Sequence, residues 1–443
     1  MSDKRVLIVG TTPDYVVRIF NKRPDRVCFL MDQAYRWDFT LNAADPDYLC
    51  FTDLEQFDFA ERSIRKHFQR FGITPDGIAC FDCESLLLAG FLAVNMGLPF
   101  PELQAIALAR DKFKARTIWK QAGIFSPLAA LSSLLDETLT FFRTTGAQDV
   151  VLKPISASGS ELVFHCTTES EVKTDVNIMI ESLAERQANR LFKSVCIEDS
   201  DLPVSDPCKT WIVEQFVSGP EFSCDFILED NRIYLIRTTE KVMAPNQTFG
   251  SVLAYIVPPS YPEGFSPDQL PDVLKTAATS LGFTRGYFMA DLIIHNDRPV
   301  IIEMTPRPGG DSIPDLIEAA TGFDIIGAYL DLVCAKLKLP VRVPRPDKTV
   351  ASINLYAESD GLIAHLDANR IHSLPWVKSV HLKKEAGDII TFPPQDYDNR
   401  LIGYCIISLP EDEDMNCIAK TLMSHVNIIT NKSYQWTTSS DNA

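Results

Sequence analysis

Two apolar runs, Phe288-Met289-Ala290-Asp291-Leu292-Ile293-Ile294 and Val300-Ile301-Ile302-Glu303-Met304-Thr305, flank the turn-forming segment His295-Asn296-Asp297-Arg298-Pro299, a pattern that predicts a β-hairpin. A turn centred on Asp297 sets Asp291 opposite Glu303, and the period-two rule places Ile293, Ile301 and Thr305 on that same face. Directly opposed Cβ atoms lie about 5 Å apart, where two like charges destabilise a sheet unless something neutralises them. The alternative is two solvated acids on an outer face. Continuous apolar residues on both faces argue against it, since they suit a buried sheet in which unpaired charge is costly. A hard cation resolves the conflict: Mg²⁺ takes one or two carboxylates and completes its octahedron with water and substrate phosphates, so ATP-Mg is a natural occupant.

At 443 residues with 46% hydrophobic content, the chain is long enough for two or three domains with a sizeable core. Its net charge of -17 argues against nucleic acid or an anionic membrane as the main partner, because both need a basic footprint. No apolar run reaches transmembrane length, and Met1-Ser2-Asp3-Lys4-Arg5 leads into a short strand instead of a signal-peptide core, so a cytoplasmic enzyme is expected. The eleven cysteines lack framework spacing and read as reduced core thiols. Cys80-Phe81-Asp82-Cys83 is a C-x-x-C without a second pair or a nearby His pair, which favours a structural strand end over a zinc site.

Up to about residue 110, short strands at Val6-Leu7-Ile8-Val9-Gly10, Val27 to Asp32 and Ile78 to Phe81 alternate with helical patterns at Phe59 to Phe71 and Glu84 to Met96, implying a small parallel sheet. Gly10-Thr11-Thr12-Pro13 is not G-x-G-x-x-G, so dinucleotide binding has little support. Residues 111–340 are mixed, with helices at Lys112 to Ala122 and Pro271 to Leu281, a lid of about 125–210, and an acidic loop insertion at Cys196 to Pro207. Residues 341–443 carry short strands, such as Val350 to Leu355 and Gly403 to Ile407, that suggest a small β-rich closing domain with a frayed tail.

A second phosphate-handling pattern lies upstream. Val150-Val151-Leu152-Lys153-Pro154 reads as a strand ending in a lysine, followed by the small-residue loop Ile155-Ser156-Ala157-Ser158-Gly159-Ser160 and a strand at Leu162-Val163-Phe164. Small residues let backbone N–H groups approach phosphate oxygens, and the lysine supplies a point charge; the bland alternative is a plain hairpin with a solvated Lys. Trp211 to Val217 is a strand whose end could present backbone groups to an adenine edge, followed by Gly219-Pro220-Glu221; the alternative is an edge strand and turn.

In order, Asp111-Lys112, Lys153 with its loop, Glu214 with Gly219-Pro220-Glu221, and Asp291, Glu303 and Arg307 resemble the ATP-grasp superfamily of carboxylate–amine ligases, over most of the chain from Gly97 to Gly322. Glu303-Met304-Thr305-Pro306-Arg307-Pro308-Gly309-Gly310-Asp311-Ser312-Ile313-Pro314 is most similar to the bacterial L-amino-acid ligases and carnosine-synthase-like relatives, with Asn399-Arg400-Leu401-Ile402-Gly403 compatible. The resemblance implies an α/β chain with an α+β core: an ATP-grasp fold with an N-terminal parallel-sheet domain, a central ATP-grasp domain and a β-rich C-terminal domain. It implies ATP with two Mg²⁺ ions, Mn²⁺ being an acceptable substitute, and small-molecule carboxylate and amine substrates; a homodimer is compatible. Lys112 and Lys153 would contact phosphates beneath a mobile cover of Ser158, Gly159 and Ser160. Gln215 and Val217 would offer backbone groups to adenine, Glu214 would flank that hinge, Glu221 would hold the ribose hydroxyls and Ile293 would pack on the base. Asp291, Glu303 and Thr305 would ligate metal, Arg307 would stabilise the acyl-phosphate and the tetrahedral intermediate, and the Gly310 N–H would serve as an oxyanion donor.

The family pattern usually has Asn where this chain has Thr305, a shorter ligand that implies a remodelled metal site or reduced activity. Rival readings are a ligase using ammonia or bicarbonate, and a catalytically degenerate ATP-binding protein. Substrate residues are expected in 237–250, around 309–314 and in the closing domain; Arg237 and Lys241 could each meet a substrate carboxylate or be solvated, with solvation the favoured reading of Arg237 and both open for Lys241.

Overall fold

The structure is a computed structural model that describes residues 3–39, 46–146, 149–187, 189–193, 205–245, 247–410 and 413–431. The expected loop insertion at 196–207 falls largely outside these residues, and the expected tail wholly so.

The chain opens as a parallel sheet in the order β3-β2-β1-β4, built from β1 (Asp3–Val9), β2 (Val27–Asp32), β3 (Leu49–Thr52) and β4 (Ile73–Ala79). Between them run α1 (Pro13–Lys22) and α2 (Phe57–Phe71), followed by α3 (Leu86–Met96), α4 (Leu103–Arg110) and α5 (Lys112–Gln121). The continuous apolar run in β1 has its explanation here: Leu7 and Val9 face one core while Val6 and Ile8 face another, so both faces are covered. The Asp111 carboxylate accepts the Lys114 N–H at 2.9 Å, capping α5 and fixing where Lys112 begins it.

A second sheet, β5-β8-β6-β7, follows, made of β5 (Ala129–Ser132), β6 (Val150–Pro154), β7 (Phe164–Cys166) and β8 (Trp211–Gln215), with α6 (Leu135–Thr144) and α7 (Glu169–Glu185) against it. The strand expected at 162–164 starts two residues later, because Leu162 takes a positive φ of 54° and turns its side chain into the core beneath α7. A buried residue from far along the chain, Tyr397, packs into that same core.

The largest sheet has eight strands in the order β13-β12-β9-β10-β11-β14-β18-β16. They are β9 (Glu221–Glu229), β10 (Arg232–Met243), β11 (Val252–Val257), β12 (Gly286–His295), β13 (Arg298–Thr305), β14 (Val350–Tyr356), β16 (Val377–Leu382) and β18 (Leu401–Ser408). The helices α8 (Leu270–Ser280), α9 (Ile313–Thr321), α10 (Ile325–Val333) and α11 (Met415–Ser424) cover it. The strands β14, β18 and β16 of the last hundred residues thus continue the central sheet, and a three-stranded sheet of β15 (Gly361–Asp367), β17 (Ile389–Ile390) and β19 (Asn427–Asn431) stands beside it. On β9 and β12, Phe222, Cys224, Phe226, Phe288, Ala290 and Leu292 face the core that contains α4, α5 and α8. Ile227 and Tyr287 face the other side with α9 and α10. Further along that second side the residues turn polar, and there the candidate site lies.

Candidate active site

Strand register aligns three polar rungs across β10, β9, β12 and β13. Arg237, Asp225, Met289 and Thr305 form the first; Thr239, Ser223, Asp291 and Glu303 the second; Lys241, Glu221, Ile293 and Val300 the third. The opposed pair Asp291 and Glu303 arises by a route the sequence did not reveal. The hairpin turn is the two-residue Asn296-Asp297, both at positive φ (48° and 59°), the twist that a tight β-hairpin prefers. That turn pairs Ile293 with Val300, not Ile301, and a register shift between Asp291 and Leu292 then restores the acidic pair. The expected placement of Ile301 is therefore corrected: it is buried with Leu292 and Met304 on the far face, while Val300 joins Ile293, Val217 and the half-buried Ile302 in a small apolar wall.

Each acid meets a cation. Lys241 Nζ lies 2.9 Å from Asp291 Oδ2 and 3.4 Å from Glu221 Oε2, and Lys112 Nζ lies 3.5 Å from Glu303 Oε2. Lys241 is a buried link between the second and third rungs, so the solvated reading of it is excluded; burial lowers its pKa, but Asp291 and Glu221 outweigh that and hold the ammonium firmly charged. Arg237 is corrected outright. Its side chain is 2% exposed, and it donates to Asp225 Oδ1 at 2.7 Å, to the Ser223 carbonyl and to Thr239. Asp225 in turn accepts the Gly309 N–H on both oxygens at 3.2 Å and the Tyr287 hydroxyl at 3.2 Å. Burial raises the Asp225 carboxyl while Arg237 and these donors pull it down, and the net shift is upward. A Cβ on Gly309 would sit 2.4 Å from Arg237 Nη2, so only glycine lets the loop dock on this pair.

That loop carries Arg307 and Gly310. Arg307 donates through Nη1 to the Pro308 carbonyl at 2.7 Å, and a Cβ on Gly310 would lie 3.6 Å from the same Nη1, so the two expected catalytic positions are neighbours. The other edge of the guanidinium, Nε and Nη2, points to Cys83 Sγ at 3.3 and 3.1 Å. Thr305 Oγ1 is buried and has no hydrogen-bond partner.

Beneath the second sheet, Lys153 and Glu214 form a buried ion pair, and Arg116 of α5 closes it on Glu214 at 3.1 Å. Burial and the Arg116 charge push the Lys153 ammonium down to about 8 against the opposing pull of Glu214. Arg116 also donates to the Ile301 carbonyl, tying this pair to the hairpin. Sequence reading missed Arg116, which on the helical pattern of α5 looks like an ordinary solvated cation. The Ser158-Gly159-Ser160 loop is held by Lys112 Nζ on the Ala157 carbonyl at 2.7 Å and by Ser160 Oγ on the Gly250 carbonyl at 2.9 Å. Gly159 takes φ 64°, and a Cβ there would meet Asp398 Oδ2 at 3.0 Å, so the loop tip faces the segment that follows Tyr397. Lost hydration in this cleft, with Asp311 adding, pushes the Asp398 carboxyl up to about 7.

At the end of β8 the Gln215 N–H is donated to the Leu128 carbonyl at 2.9 Å, so the backbone group that Gln215 could offer a ligand is its carbonyl. Val217, two residues on, lies beyond the strand with its side chain in the apolar wall beside Ile293.

A family model for the ATP-grasp domain matches residues 147–315. The chain carries an ATP-grasp domain. All three rungs and the loop over Lys153 fall within the matched segment, whereas Lys112 precedes it. In sequence, the chain is 24% identical over 341 residues to uncharacterized protein y4rH of Sinorhizobium fredii, covering 76% of this chain and 64% of that protein. It is 24% identical over 237 residues to a D-alanine–D-alanine ligase of Aromatoleum aromaticum, covering 52% of this chain and 67% of that protein. In structure, the L-amino acid ligase from Bacillus licheniformis superposes with a TM-score of 0.73 at 18% identity over 97% of this chain and 100% of that one, a likeness of the ATP-grasp fold.

Among the described residues no group of three or more His, Cys, Asp or Glu side chains could hold a metal by itself, and no helix is long and apolar enough to cross a membrane. The donor set nevertheless fits Mg²⁺ carried with a nucleotide: two opposed carboxylates and an orphaned hydroxyl on Thr305, a number of protein donors that leaves the rest of an octahedral shell to water and phosphate oxygens. The wall of Val217, Ile293, Val300 and Ile302 suits a flat purine.

Proposed function

We propose that this chain is an ATP-dependent carboxylate–amine ligase that joins an amino acid, or a related carboxylate, to an amine and releases ADP and phosphate. The observation that carries this reading is the rung on which Asp291 and Glu303 are directly opposed, with Lys112 and Lys241 on the two acids and Arg307 two residues beyond Thr305. The names of the D-alanine–D-alanine ligase and the L-amino acid ligase support the reaction class.

Asp291 and Glu303, with Thr305 as a third donor, would hold Mg²⁺, which would supply neutralisation of phosphate charge. Every other task falls to the chain. Lys112 and Lys153 hold phosphate oxygens, Glu221 faces the ribose, and Val217 and Ile293 bracket the base. A carboxylate is a poor electrophile, so its oxygen first takes the γ-phosphoryl and ADP leaves; the amine then attacks the acyl carbon, expelling phosphate and losing one proton. Arg307 and the Gly310 N–H meet the charge that gathers on the phosphoryl and on the tetrahedral oxygen. The cover of Ser158, Gly159 and Ser160, in a lid of residues 125–210, excludes water that would hydrolyse the acyl-phosphate, and residues 341–443 close on it through Asp398 and Tyr397. In the same reading the first 110 residues complete the substrate cleft.

The test is ATP turnover with Mg²⁺ against single and paired L-amino acids, separating ADP and phosphate from AMP and pyrophosphate. ADP formation that needs both a carboxylate and an amine substrate, and is lost in Glu303→Gln, supports the ligase. AMP formation, or no turnover with any pair, sinks it.

Lys153 adds a pH dependence. Its ammonium is charged below about 8 and neutral above, so raising the pH removes a cation from the phosphate site. ATP affinity is expected to fall by about tenfold between pH 7 and pH 9 in calorimetric titrations, the order of one charge-assisted contact. Lys153→Arg is expected to flatten that profile, because guanidinium stays protonated throughout.

A further inference from the structure

Cys83, the second cysteine of the C-x-x-C read above as a structural strand end, is the side chain that grips Arg307. It sits in the turn between β4 and α3, at the carboxyl end of the parallel sheet, where crevices for ligands form in open α/β sheets. That turn is itself fixed. Asp82 Oδ1 accepts the Ser85 N–H at 2.7 Å, and the Cys80 N–H donates to the Tyr329 hydroxyl at 3.2 Å. A guanidinium edge usually docks on a carboxylate; here a single sulfur accepts both Nε and Nη2, at 3.3 and 3.1 Å. The opposite edge is left beside Gly310, where the reacting oxygens would lie. A long arginine side chain has many rotamers to lose, so a flexible Arg307 would lose much of its value unless one edge were held.

We propose that Cys83 is a positioning residue: its sulfur anchors the Nε–Nη2 edge of Arg307 and thereby, together with the Pro308 carbonyl that takes one Nη1 N–H, aims the remaining Nη1 N–H beside Gly310 at the acyl-phosphate, making the N-terminal domain part of the catalytic apparatus. The kinetic half of this statement rests on the ligase reading; the contact itself does not. The titratable and charged groups that act on the thiol are Arg307, Glu84, Glu303, Arg110 and Cys80; burial raises its pKa and Arg307 opposes that.

Two experiments test it. In the first, Cys83→Ala is expected to lower kcat by about 10- to 100-fold, the effect of misplacing a catalytic group by about 1 Å, while ATP affinity and thermal midpoint stay near wild type. Cys83→Ser keeps an acceptor at the same place and is expected to recover most of that loss. A purely structural role would instead lower the thermal midpoint of both variants together. In the second, alkylation of Cys83 by iodoacetamide is followed against pH by peptide mass spectrometry in wild type and in Arg307→Met. Loss of the guanidinium is expected to move the profile upward by about one pH unit, the size of one neighbouring charge. Identical profiles overturn the proposal, as does a Cys83→Ala enzyme with wild-type kcat. If the wild type makes no ADP with any substrate pair, the ligase reading falls by itself, and the labelling profile alone decides whether Cys83 holds Arg307.

Discussion

Arg307→Ala is expected to lower kcat by about 1,000-fold and to leave ATP affinity within about threefold of wild type, the signature of an interaction made in the transition state. The expectation follows from position. Arg307 stands two residues beyond Thr305, outside the rungs that would hold the nucleotide, with one edge on Cys83 and the other beside Gly310. Burial works against its charge, but Cys83, Tyr15 and Glu303 more than offset that, so the guanidinium stays protonated at any working pH. Arg307→Lys keeps the charge but loses the planar fork, and is expected to recover less than a tenth of the loss. Single-turnover assays with radiolabelled ATP read the phosphoryl-transfer step directly. An Arg307→Ala enzyme with wild-type kcat would remove Arg307 from the chemistry.

Asp225→Ala is expected to be the most destabilising single substitution near the site. The carboxylate is fully buried and holds Arg237, the Tyr287 hydroxyl and the Gly309 N–H together. Removing it strands a buried guanidinium that is only 2% exposed, and breaking such a pair from one side costs about 3–5 kcal/mol. The thermal midpoint should fall by several degrees, and differential scanning calorimetry checks it. Asp225→Asn, which keeps the shape and one acceptor, should cost less. Because Asp225 is also the floor on which Gly309 rests, kcat in both variants should drop with the stability, coupling fold to site. A midpoint unchanged in Asp225→Ala would mean that the Arg237 charge finds another partner, against the geometry described.

Much of the fold was legible because its signals are local. The alternating and continuous apolar runs announce β1, β2, β6, β12 and β13, and the residues that cap or break helices place α2, α3, α5 and α8 to within about two residues. Asp291 and Glu303 could be paired from spacing alone, although the true turn has a different centre and a register shift compensates for it. The roles of Arg237 and Lys241 were not legible. A cation on a strand looks the same whether its neighbour is water or a carboxylate on the next strand, and only the order β10, β9, β12 decides which. Which backbone group of Gln215 is left for a ligand was equally hidden: its N–H is claimed by Leu128, a partner 87 positions earlier that no local pattern names.

The sequence by itself determined the elements, the acidic pair, the small-residue loop and the lysines that point to phosphate, because each depends on residue type at short spacing. Tertiary structure alone decided which charges are satisfied and what holds the reactive ones still. Cys83 lies 224 positions from Arg307, Arg116 lies 98 from Glu214, and Asp398 faces Gly159 from the other end of the chain. Such contacts carry no periodicity. They exist because the parallel sheet, the second sheet and the eight-stranded sheet contribute residues to one polar region, and burial there makes every unpaired charge too costly to leave alone.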